Sequence, residues 1–251
     1  MKVQILGSGA ILSQKRNASS ILLTEGKDLF LLDCGFGAFQ RLKKEKIAWW
    51  KIKAIFITHP HSDHLADLIP FLQTLYVWTL YAKRQPKIYL FGYPGFKEDF
   101  QSLKKIMFPE KLIFPIEIKE LKNSQIKFNG LKIYSRIVQH NNEFFTPIAL
   151  KIKDKNKTLV YSGDTGFCQN LEILLKNADL AILENSNPFG SHNKYHLNAK
   201  EAAILAQRAK VKKLVLTHLF EFHNLKKIFK EAKEEFNGKI ILAKDSLEIK
   251  I

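Results

Sequence analysis

Short apolar runs separated by polar turns recur through the first two-thirds of the chain. Each run is rich in Ile, Val, Leu and Phe and is too short for a helix, so the pattern predicts β-strands. The predicted strands cover residues 3–6, 20–24, 29–33, 54–58 and 87–91.

Two hairpins are predicted in the middle of the chain. Residues 126–128 and 131–133 alternate apolar and polar side chains around Asn129 and Gly130, which tolerate the positive φ of a tight type I′ turn. A second hairpin joins residues 148–153 to residues 158–161 across a polar turn.

Helical spacing is clearest near the end of the chain. Apolar residues from Ala202 to Ala209 recur at i, i+3, i+4 and i+7, and Asn198 with Glu201 has the spacing of a capping box, which predicts a helix over residues 199–209. A second helix is predicted over residues 225–236, with a left-handed C-cap at Asn237 and Gly238. Strands at residues 239–242 and 247–251 follow.

Strands and helices mix without strict βαβ alternation, linker or internal repeat, which predicts one α+β domain over residues 1–251. A chain of 251 residues with 46% hydrophobic content buries a sizeable core, so fibrous and disordered classes are excluded.

The 40 Lys and Arg outnumber the 24 Asp and Glu, and the net charge of +16 favours a polyanionic partner or substrate. A lysine-rich thermophile surface is the alternative.

The cysteine content and the apolar stretches indicate the cellular location of the protein. Cys34 and Cys168 are far apart and form no C-x-x-C motif, which excludes a disulfide scaffold and favours a reducing, cytoplasmic compartment. The first residues lack the apolar region and cleavage site of a signal peptide. The longest uncharged stretch, residues 68–82, is shorter than the roughly 18 to 20 residues that span a bilayer, so no membrane partner is expected.

A dense cluster of metal-ligand residues, H-x-H-x-D-H, follows the predicted strand at residues 54–58. It contains His59, His61, Asp63 and His64. At the end of a strand the alternate residues His59 and His61 point to one side, while Asp63 and His64 turn toward another, so two adjacent metal sites could share this loop. Imidazole and carboxylate ligands suit Zn²⁺ first, with Mn²⁺ and Fe²⁺ as alternatives.

Four residues do not complete two metal sites, so further ligands are needed. His140, Asp164 and His218 each come directly after an apolar run, in the same position relative to a strand as His59. These three residues are therefore the candidates for the remaining ligands.

The motifs together resemble the metallo-β-lactamase superfamily and, within it, the ribonuclease Z branch. The matching segments are residues 6–9, 15–20, 32–35, 58–64, 162–165, 179–184, 196–199 and 216–218, with His140. The resemblance implies a four-layer αβ/βα sandwich with a dinuclear zinc site at one edge. It assigns His59, His61 and His140 to one zinc, Asp63, His64 and His218 to the other, Asp164 as the bridge, and Asp33 as a carboxylate that orients a ligating imidazole.

The same resemblance implies a hydrolytic mechanism, in which two zinc ions lower the pKa of a bridging water and so supply hydroxide for attack on a phosphodiester. Asp63 counts among the catalytic residues on this view. His196 is the candidate general acid, with Glu184 as its hydrogen-bond partner, and a helix-flanking surface residue is the alternative for His196. Arg16 and Asn17 lie in a segment that is near the cleft in the relatives and are weaker candidates for contacts with phosphate.

Two segments depart from the ribonuclease Z pattern. The interval that carries a long protruding arm in enzymes that mature tRNA is only a hairpin here, at residues 148–160, and residues 219–223 read LFEFH where Ser-Arg-Tyr-like residues are common. His192 and His223 match no motif position and are interpreted as surface residues.

Three functions remain open. The first is a ribonuclease Z-like endoribonuclease that acts on RNA, with the tRNA 3′ end as one candidate substrate, and it is favoured by the net charge. The second is a phosphodiesterase or esterase that acts on a small, cyclic or otherwise anionic substrate. The third is a non-catalytic RNA-binding protein, against which the intact ligand positions argue. Relatives are often dimers, so a homodimer is an alternative to the monomer.

Overall fold

The computed structural model describes residues 1–83, 85–188, 191 and 193–251. The strands of the described residues are β1 (Lys2–Gly7), β2 (Ser20–Glu25), β3 (Asp28–Leu32), β4 (Ile52–Ile57), β5 (Ile88–Gly92), β6 (Ile116–Glu120), β7 (Gln125–Phe128), β8 (Leu131–Ile137), β9 (Ile148–Lys153), β10 (Thr158–Tyr161), β11 (Leu180–Glu184), β12 (Lys213–Thr217), β13 (Lys239–Leu242) and β14 (Glu248–Lys250). The helices are α1 (Ala38–Lys44), α2 (Ser62–Leu65), α3 (Leu68–Ala82), α4 (Phe96–Met107), α5 (Gln169–Leu175), α6 (Ala199–Arg208) and α7 (Leu225–Glu235), with a 3₁₀ turn at Trp49–Lys51.

The strands form two mixed sheets of seven strands each. The first has the order β14-β1-β2-β3-β4-β5-β6 and the second β13-β12-β11-β10-β9-β8-β7. From β3 to β6 and from β10 to β13 the neighbouring strands are parallel, whereas the other pairs are antiparallel. Because parallel strands end at the same edge of a sheet, residues that follow β3, β4, β10, β11 and β12 are brought together.

The sheets pack face to face over a shared core, with helices on the outside. The side chains of β10 alternate between two apolar clusters. Leu159 and Tyr161 lie in the core between the sheets, together with Phe30 and Phe56 of the first sheet. Val160 points the other way and joins a second cluster with Leu205 of α6. The predicted four-layer α+β sandwich is confirmed by this arrangement.

Both predicted hairpins are present. The turn between β7 and β8 has φ values of 46° at Asn129 and 77° at Gly130, as a type I′ turn requires. β9 and β10 pair antiparallel with the predicted bounds. The helix α6 begins with the predicted capping box between Asn198 and Glu201.

The predicted left-handed C-cap of α7 is wrong. The helix ends at Phe236, which is extended, with φ −128° and ψ 121°. Phe236 is buried, and a Cβ on Gly238 would lie 2.3 Å from its ring. The glycine therefore makes room for the aromatic ring, and tertiary packing overrides the local capping signal.

The uncharged stretch at residues 68–82 forms α3. None of the helices in the described part of the chain is long and apolar enough to cross a membrane.

Candidate metal centre

Seven ligand-type side chains converge at the edge where the parallel strands end. His59, Asp164 and His218 follow β4, β10 and β12, and His140 follows β8, which runs in the same direction as β10 because both pair antiparallel with β9. Asp63 and His64 lie on the short helix α2 that begins the loop after β4. Both sheets thus contribute to one site.

The first group consists of His59, His61, His140 and Asp164, whose ligand atoms lie within 4.8 Å of one another. Nδ1 of His61 is 3.1 Å from Nε2 of His59 and 3.1 Å from Nε2 of His140. Oδ2 of Asp164 is 3.9 Å from Nε2 of His59 and 4.0 Å from Nε2 of His140.

The second group consists of Asp63, His64 and His218, also within 4.8 Å. Nε2 of His218 is 3.0 Å from Oδ2 of Asp63 and 3.3 Å from Nε2 of His64. The other carboxylate oxygen of Asp164, Oδ1, is 3.2 Å from Nε2 of His64 and 3.5 Å from Nε2 of His218. Asp164 therefore directs one oxygen toward each group.

These residues fit a pair of divalent cations. Nitrogen ligands about 2.1 Å from a tetrahedral zinc lie about 3.4 Å from each other, close to the separations within each group. Oδ1 of Asp164 is buried without a hydrogen-bond partner among the described residues, so a cation would supply its missing contact.

The ring nitrogen opposite the ligand atom has a partner in each of the four buried histidines. Nδ1 of His140 donates to the carbonyl oxygen of Tyr195 at 3.0 Å, and Nδ1 of His218 lies 2.6 Å from Oγ of Ser186. For His59 and His64 the partners are Oγ1 of Thr58, at 3.0 Å, and Oδ2 of Asp33, at 2.7 Å. Such contacts fix the tautomer and the ring orientation of a metal ligand.

Asp33 is fully buried and holds the end of β4 against the second sheet. Its Oδ1 accepts from the backbone N–H of Thr58 at 2.8 Å, and its Oδ2 accepts from the hydroxyls of Thr58 and Tyr161 as well as from His64. Its backbone has a φ of 58°, and that of His218 is 59°. Left-handed backbone at non-glycine residues costs about 1–3 kcal/mol and is characteristic of functional sites.

The pKa shifts of His59, His140 and Asp164 suit metal binding, which requires neutral imidazoles and ionised carboxylates, whereas that of His64 opposes it. Burial lowers the pKa of His59 well below its ordinary value and lowers the pKa of His140 to about 4. Burial raises the pKa of Asp164, but the imidazoles of His218 and His64 outweigh it, so the pKa is held well below its usual range. Burial lowers the pKa of His64, but the carboxylates of Asp164 and Asp33 outweigh it and raise the pKa well above the ordinary value. A cation at His64 would therefore displace a proton.

His196 lies at the wall of the site with its side chain 24% exposed. Its Nδ1 is 2.7 Å from Oε1 of Glu184, which is buried at the end of β11. The side chain of Asn187 donates to the carbonyl oxygen of His196 at 2.6 Å and anchors its backbone. Burial lowers the pKa of His196, but the charge of Glu184 and its hydrogen bond outweigh this and raise the pKa to about 9. The ring is therefore protonated at neutral pH.

A cavity of about 250 Å³ opens on both metal-ligand groups. It is lined by Ile11, His61, Ser62, Asp63, Asp164, Ser186, His196, His218 and Phe220. Neither Arg16 nor Asn17 is among the lining residues. Arg16 Nη1 donates to Ser8 Oγ and to the carbonyl oxygen of Ala243, both at 2.8 Å, and Asn17 Nδ2 donates to the carbonyl oxygens of Leu6 and Gly37. Contact between these two side chains and substrate stays a prediction.

Several residues of the site have no motif that marks them in the sequence. Ser186 contacts the ring of the candidate ligand His218, and Tyr161 donates to the supporting carboxylate of Asp33. Phe145 packs its ring against His59 and His61 with centroid distances of 5.8 and 5.0 Å. Ser186 lies two residues beyond Glu184, so its position after a strand is the one signal that could have indicated it.

The interpretation of His223 as a surface residue is wrong. His223 is 7% exposed, and both of its ring nitrogens lack a hydrogen-bond partner among the described residues. Its ring packs edge-on against Phe220 and Phe222, which cover it. His192 lies outside the described residues.

Two mixed sheets packed back to back, with paired His/Asp groups at one edge, define a metal-dependent hydrolase of the metallo-β-lactamase superfamily. The chain belongs to the family described as anti-Pycsar protein Apyc1, whose model matches residues 1–238.

Similar proteins agree on the class. A ribonuclease Z of Borrelia garinii subsp. bavariensis is 30% identical over 307 residues, which cover 98% of this chain and 96% of that protein. A ribonuclease Z of Thermococcus sibiricus is 28% identical over 296 residues, which cover 98% of this chain and 94% of that protein. The crystal structure of the metallo-β-lactamase-fold protein YhfI from Bacillus subtilis has a TM-score of 0.89 at 25% identity, covering 99% of this chain and 98% of that one. The ribonuclease Z-like class predicted from the motifs is confirmed.

Both ribonuclease alignments are longer than this chain of 251 residues. The two relatives therefore contain segments without a counterpart here, in agreement with the short β9–β10 connection.

Proposed function

We propose that this protein is a phosphodiesterase that cleaves RNA as an endoribonuclease and uses two Zn²⁺ ions, with Mn²⁺ or Fe²⁺ as the alternatives. His59, His61 and His140 would hold one ion, Asp63, His64 and His218 the other, and Asp164 would contact both. The observation that carries the proposal is the position of Asp164, whose two oxygens face the two groups separately.

When bound, two divalent cations acidify water and offset negative charge on phosphate oxygens. The chain supplies the remaining chemistry. His196 is protonated and borders the cavity, so it can donate a proton to the leaving oxygen, while Glu184 holds its Nδ1 and keeps Nε2 as the donor. Ile11 and Phe220 border the same cavity and limit access of bulk water to the reacting groups.

RNA as the substrate is supported by the two ribonuclease Z relatives and by the net charge of +16. Among the described residues, those that line the metal cavity include no Lys or Arg, but Lys15 and Lys244 line the neighbouring cavity. A chain of phosphates that extends from the metal centre would meet these two ammonium groups.

A second candidate is a phosphodiesterase for small, cyclic nucleotides. The specific observation in its favour is the tight β9–β10 hairpin, because this connection offers no extended surface for the body of a large RNA. Both candidates use the same metal centre and differ in what lies beyond the scissile phosphate.

Metal content and turnover test the proposal. Elemental analysis of the purified protein should find close to two metal ions per chain, and bis(p-nitrophenyl) phosphate should be hydrolysed. Asp164→Asn should abolish that hydrolysis, whereas Asp179→Asn, which removes a carboxylate bonded to Lys212 and to the backbone of Thr158, should not. A folded, metal-free protein, or full activity in Asp164→Asn, would contradict the proposal.

Substrate competition separates the two candidates. A precursor tRNA with a 3′ trailer and a set of cyclic nucleotides should be presented together to the metal-loaded protein. Preferential cleavage of the RNA supports the endoribonuclease, and exclusive hydrolysis of cyclic nucleotides supports the second candidate.

The general-acid role of His196 has its own test. His196→Ala should slow substrates with poor alkoxide leaving groups far more than nitrophenyl esters, whose leaving group needs no proton. Equal losses on both substrate classes would remove His196 from this role.

Location and assembly complete the proposal. We infer a reducing, cytoplasmic location from the free thiols of Cys34 and Cys168. A homodimer remains a proposal, which light scattering of the purified protein would check.

A further inference from the structure

A second cavity adjoins the metal centre. It has a volume of about 360 Å³ and is lined by Lys15, Arg16, Phe220, Glu221, Leu225, Lys244 and Asp245. Phe220 also lines the metal cavity, so its ring forms the wall that the two cavities share. A ligand whose phosphate lies at the metal centre can therefore extend past Phe220 into this neighbouring space.

Phe220 is part of an aromatic pair that we call the aromatic platform, Phe220 and Phe222. Their rings are stacked, with centroids 4.9 Å apart and planes 20° from parallel. His223 supports the pair from below, with its ring 5.2 Å from Phe220 and 4.9 Å from Phe222, nearly perpendicular to both. Phe222 is 70% exposed. The two rings cover one face of each other, so a planar ligand would stack on an outer face of the pair.

The loop that carries the platform follows directly after the ligand His218. Leu219 anchors its start, because its N–H donates to the carbonyl oxygen of Ser8 at 3.0 Å. The other end is held by Asn224, whose side chain accepts from the backbone N–H groups of Lys226 and Lys227 and caps α7. The platform is thus held at a set position relative to the metal ligands.

The charges of the second cavity favour an anion. Both acids are engaged by internal donors, since Glu221 accepts from Ser13 and from the backbone of Lys15, and Asp245 accepts from Ser8, Asn17 and Arg41. In contrast, no carboxylate among the described residues forms an ion pair with Lys15 or Lys244, and both side chains are exposed. Two ammonium groups beside a stacking surface match the phosphate and the base of a nucleotide.

We propose that the aromatic platform binds the nucleobase next to the scissile phosphodiester, and that Lys15 and Lys244 bind the following phosphate. This inference rests on the proposed phosphodiesterase function and deepens it, because it defines the substrate as a nucleotide chain. Stacking of bases on aromatic side chains tolerates any base, since every base has a π-face.

Three nitrophenyl esters test the inference by adding one group at a time. Methyl p-nitrophenyl phosphate has no base, thymidine 5′-(p-nitrophenyl phosphate) adds the base, and its 3′-phosphorylated form adds the second phosphate. Phe220→Leu and Phe222→Leu should each raise KM for the two thymidine esters about tenfold relative to the KM of the methyl ester. Phe229→Leu is the matched control, because Phe229 is an exposed phenylalanine of α7 that belongs neither to the aromatic platform nor to the lining of the two cavities.

The lysines are tested with the same substrates. Lys244→Gln should raise KM for the 3′-phosphorylated ester severalfold at low salt and leave the other two esters unchanged. Lys105→Gln, which removes an exposed lysine of α4, should change none of the three. An equal rise in KM for all three esters would mean that Lys244 acts only through the overall electrostatic field of the protein, and it would overturn the subsite role.

A binding measurement keeps the inference independent of turnover. The zinc-loaded protein should quench the fluorescence of 2-aminopurine riboside 5′-monophosphate, and Phe220→Leu and Phe222→Leu should weaken this binding about tenfold. Wild-type KM values and binding in both variants would overturn the platform but leave the proposed function intact. Hydrolysis of none of the three esters by the metal-loaded wild type would contradict the proposed function itself.

Discussion

The carboxylate of Asp33 offers the sharpest test of how the site is organised, because it joins His64, a candidate metal ligand, to the core. Its Oδ2 accepts from His64, Tyr161 and Thr58, and its Oδ1 accepts from the backbone N–H of Thr58. Asp33→Asn keeps the shape and removes the charge. In the variant the amide nitrogen would occupy the position of Oδ1, because only one hydrogen bond is lost there. In the flipped orientation it would occupy the position of Oδ2, where three hydrogen bonds would be lost.

The magnitude follows from these contacts. Loss of one hydrogen bond to a charged group costs about 1.5–3 kcal/mol. The bond to His64 is also weakened, because its acceptor is no longer ionised. We therefore expect the free energy of unfolding to fall by about 2–4 kcal/mol and zinc affinity at the centre that contains His64 to fall about 10- to 100-fold.

The assay compares variants by competition of the zinc-loaded protein against a chromophoric chelator, together with urea unfolding. Asp67→Asn is the control, because Asp67 accepts from the backbone N–H of Phe39 and contacts no candidate ligand. Burial raises the pKa of Asp67, so a neutral amide is tolerated there and zinc affinity should not change. Wild-type zinc affinity in Asp33→Asn would refute the reasoning that this carboxylate orients His64.

Three further predictions concern pH, backbone geometry and metal removal. Glu184→Gln removes the charge that raises the pKa of His196 to about 9. Hydrolysis of substrates with poor leaving groups needs protonated His196, so as the pH rises their rate should begin to decline at a lower pH in this variant than in the wild type. An unshifted pH–rate profile would contradict this. Gly163→Ala should lower the free energy of unfolding by about 2–4 kcal/mol, because φ is 57° and the new Cβ would lie 2.7 Å from Oγ1 of Thr58. Gly130→Ala, at φ 77° with no atom within 4 Å, should cost only about 1 kcal/mol in the same urea titration. Removal of metal with a chelator should lower Tm by about 5–10 °C for each site at which the free metal concentration had been 100 times Kd. An unchanged Tm in calorimetry would argue against coupling between metal binding and folding.

Local sequence patterns were enough to predict the fold class and to indicate the candidate metal ligands. Apolar alternation and turn residues are local signals, and they located both hairpins and the capping box of α6. The motif from His59 to His64 is local as well. His140, Asp164 and His218 were found because strand ends carry ligands, a rule that needs no knowledge of which strands are neighbours.

Contacts between distant segments of the chain could not be predicted from these local patterns. The two oxygens of Asp164 face separate groups because the second sheet lies against the first, and the hydrogen bond between His196 and Glu184 depends on how the loop after β11 folds back. His223 is buried because Phe220 and Phe222 cover it, although its sequence neighbours are polar or exposed. The net charge likewise indicated an anionic partner or substrate, but not where on the protein it binds. Contacts between residues far apart in the chain arise from packing, and no local pattern encodes them.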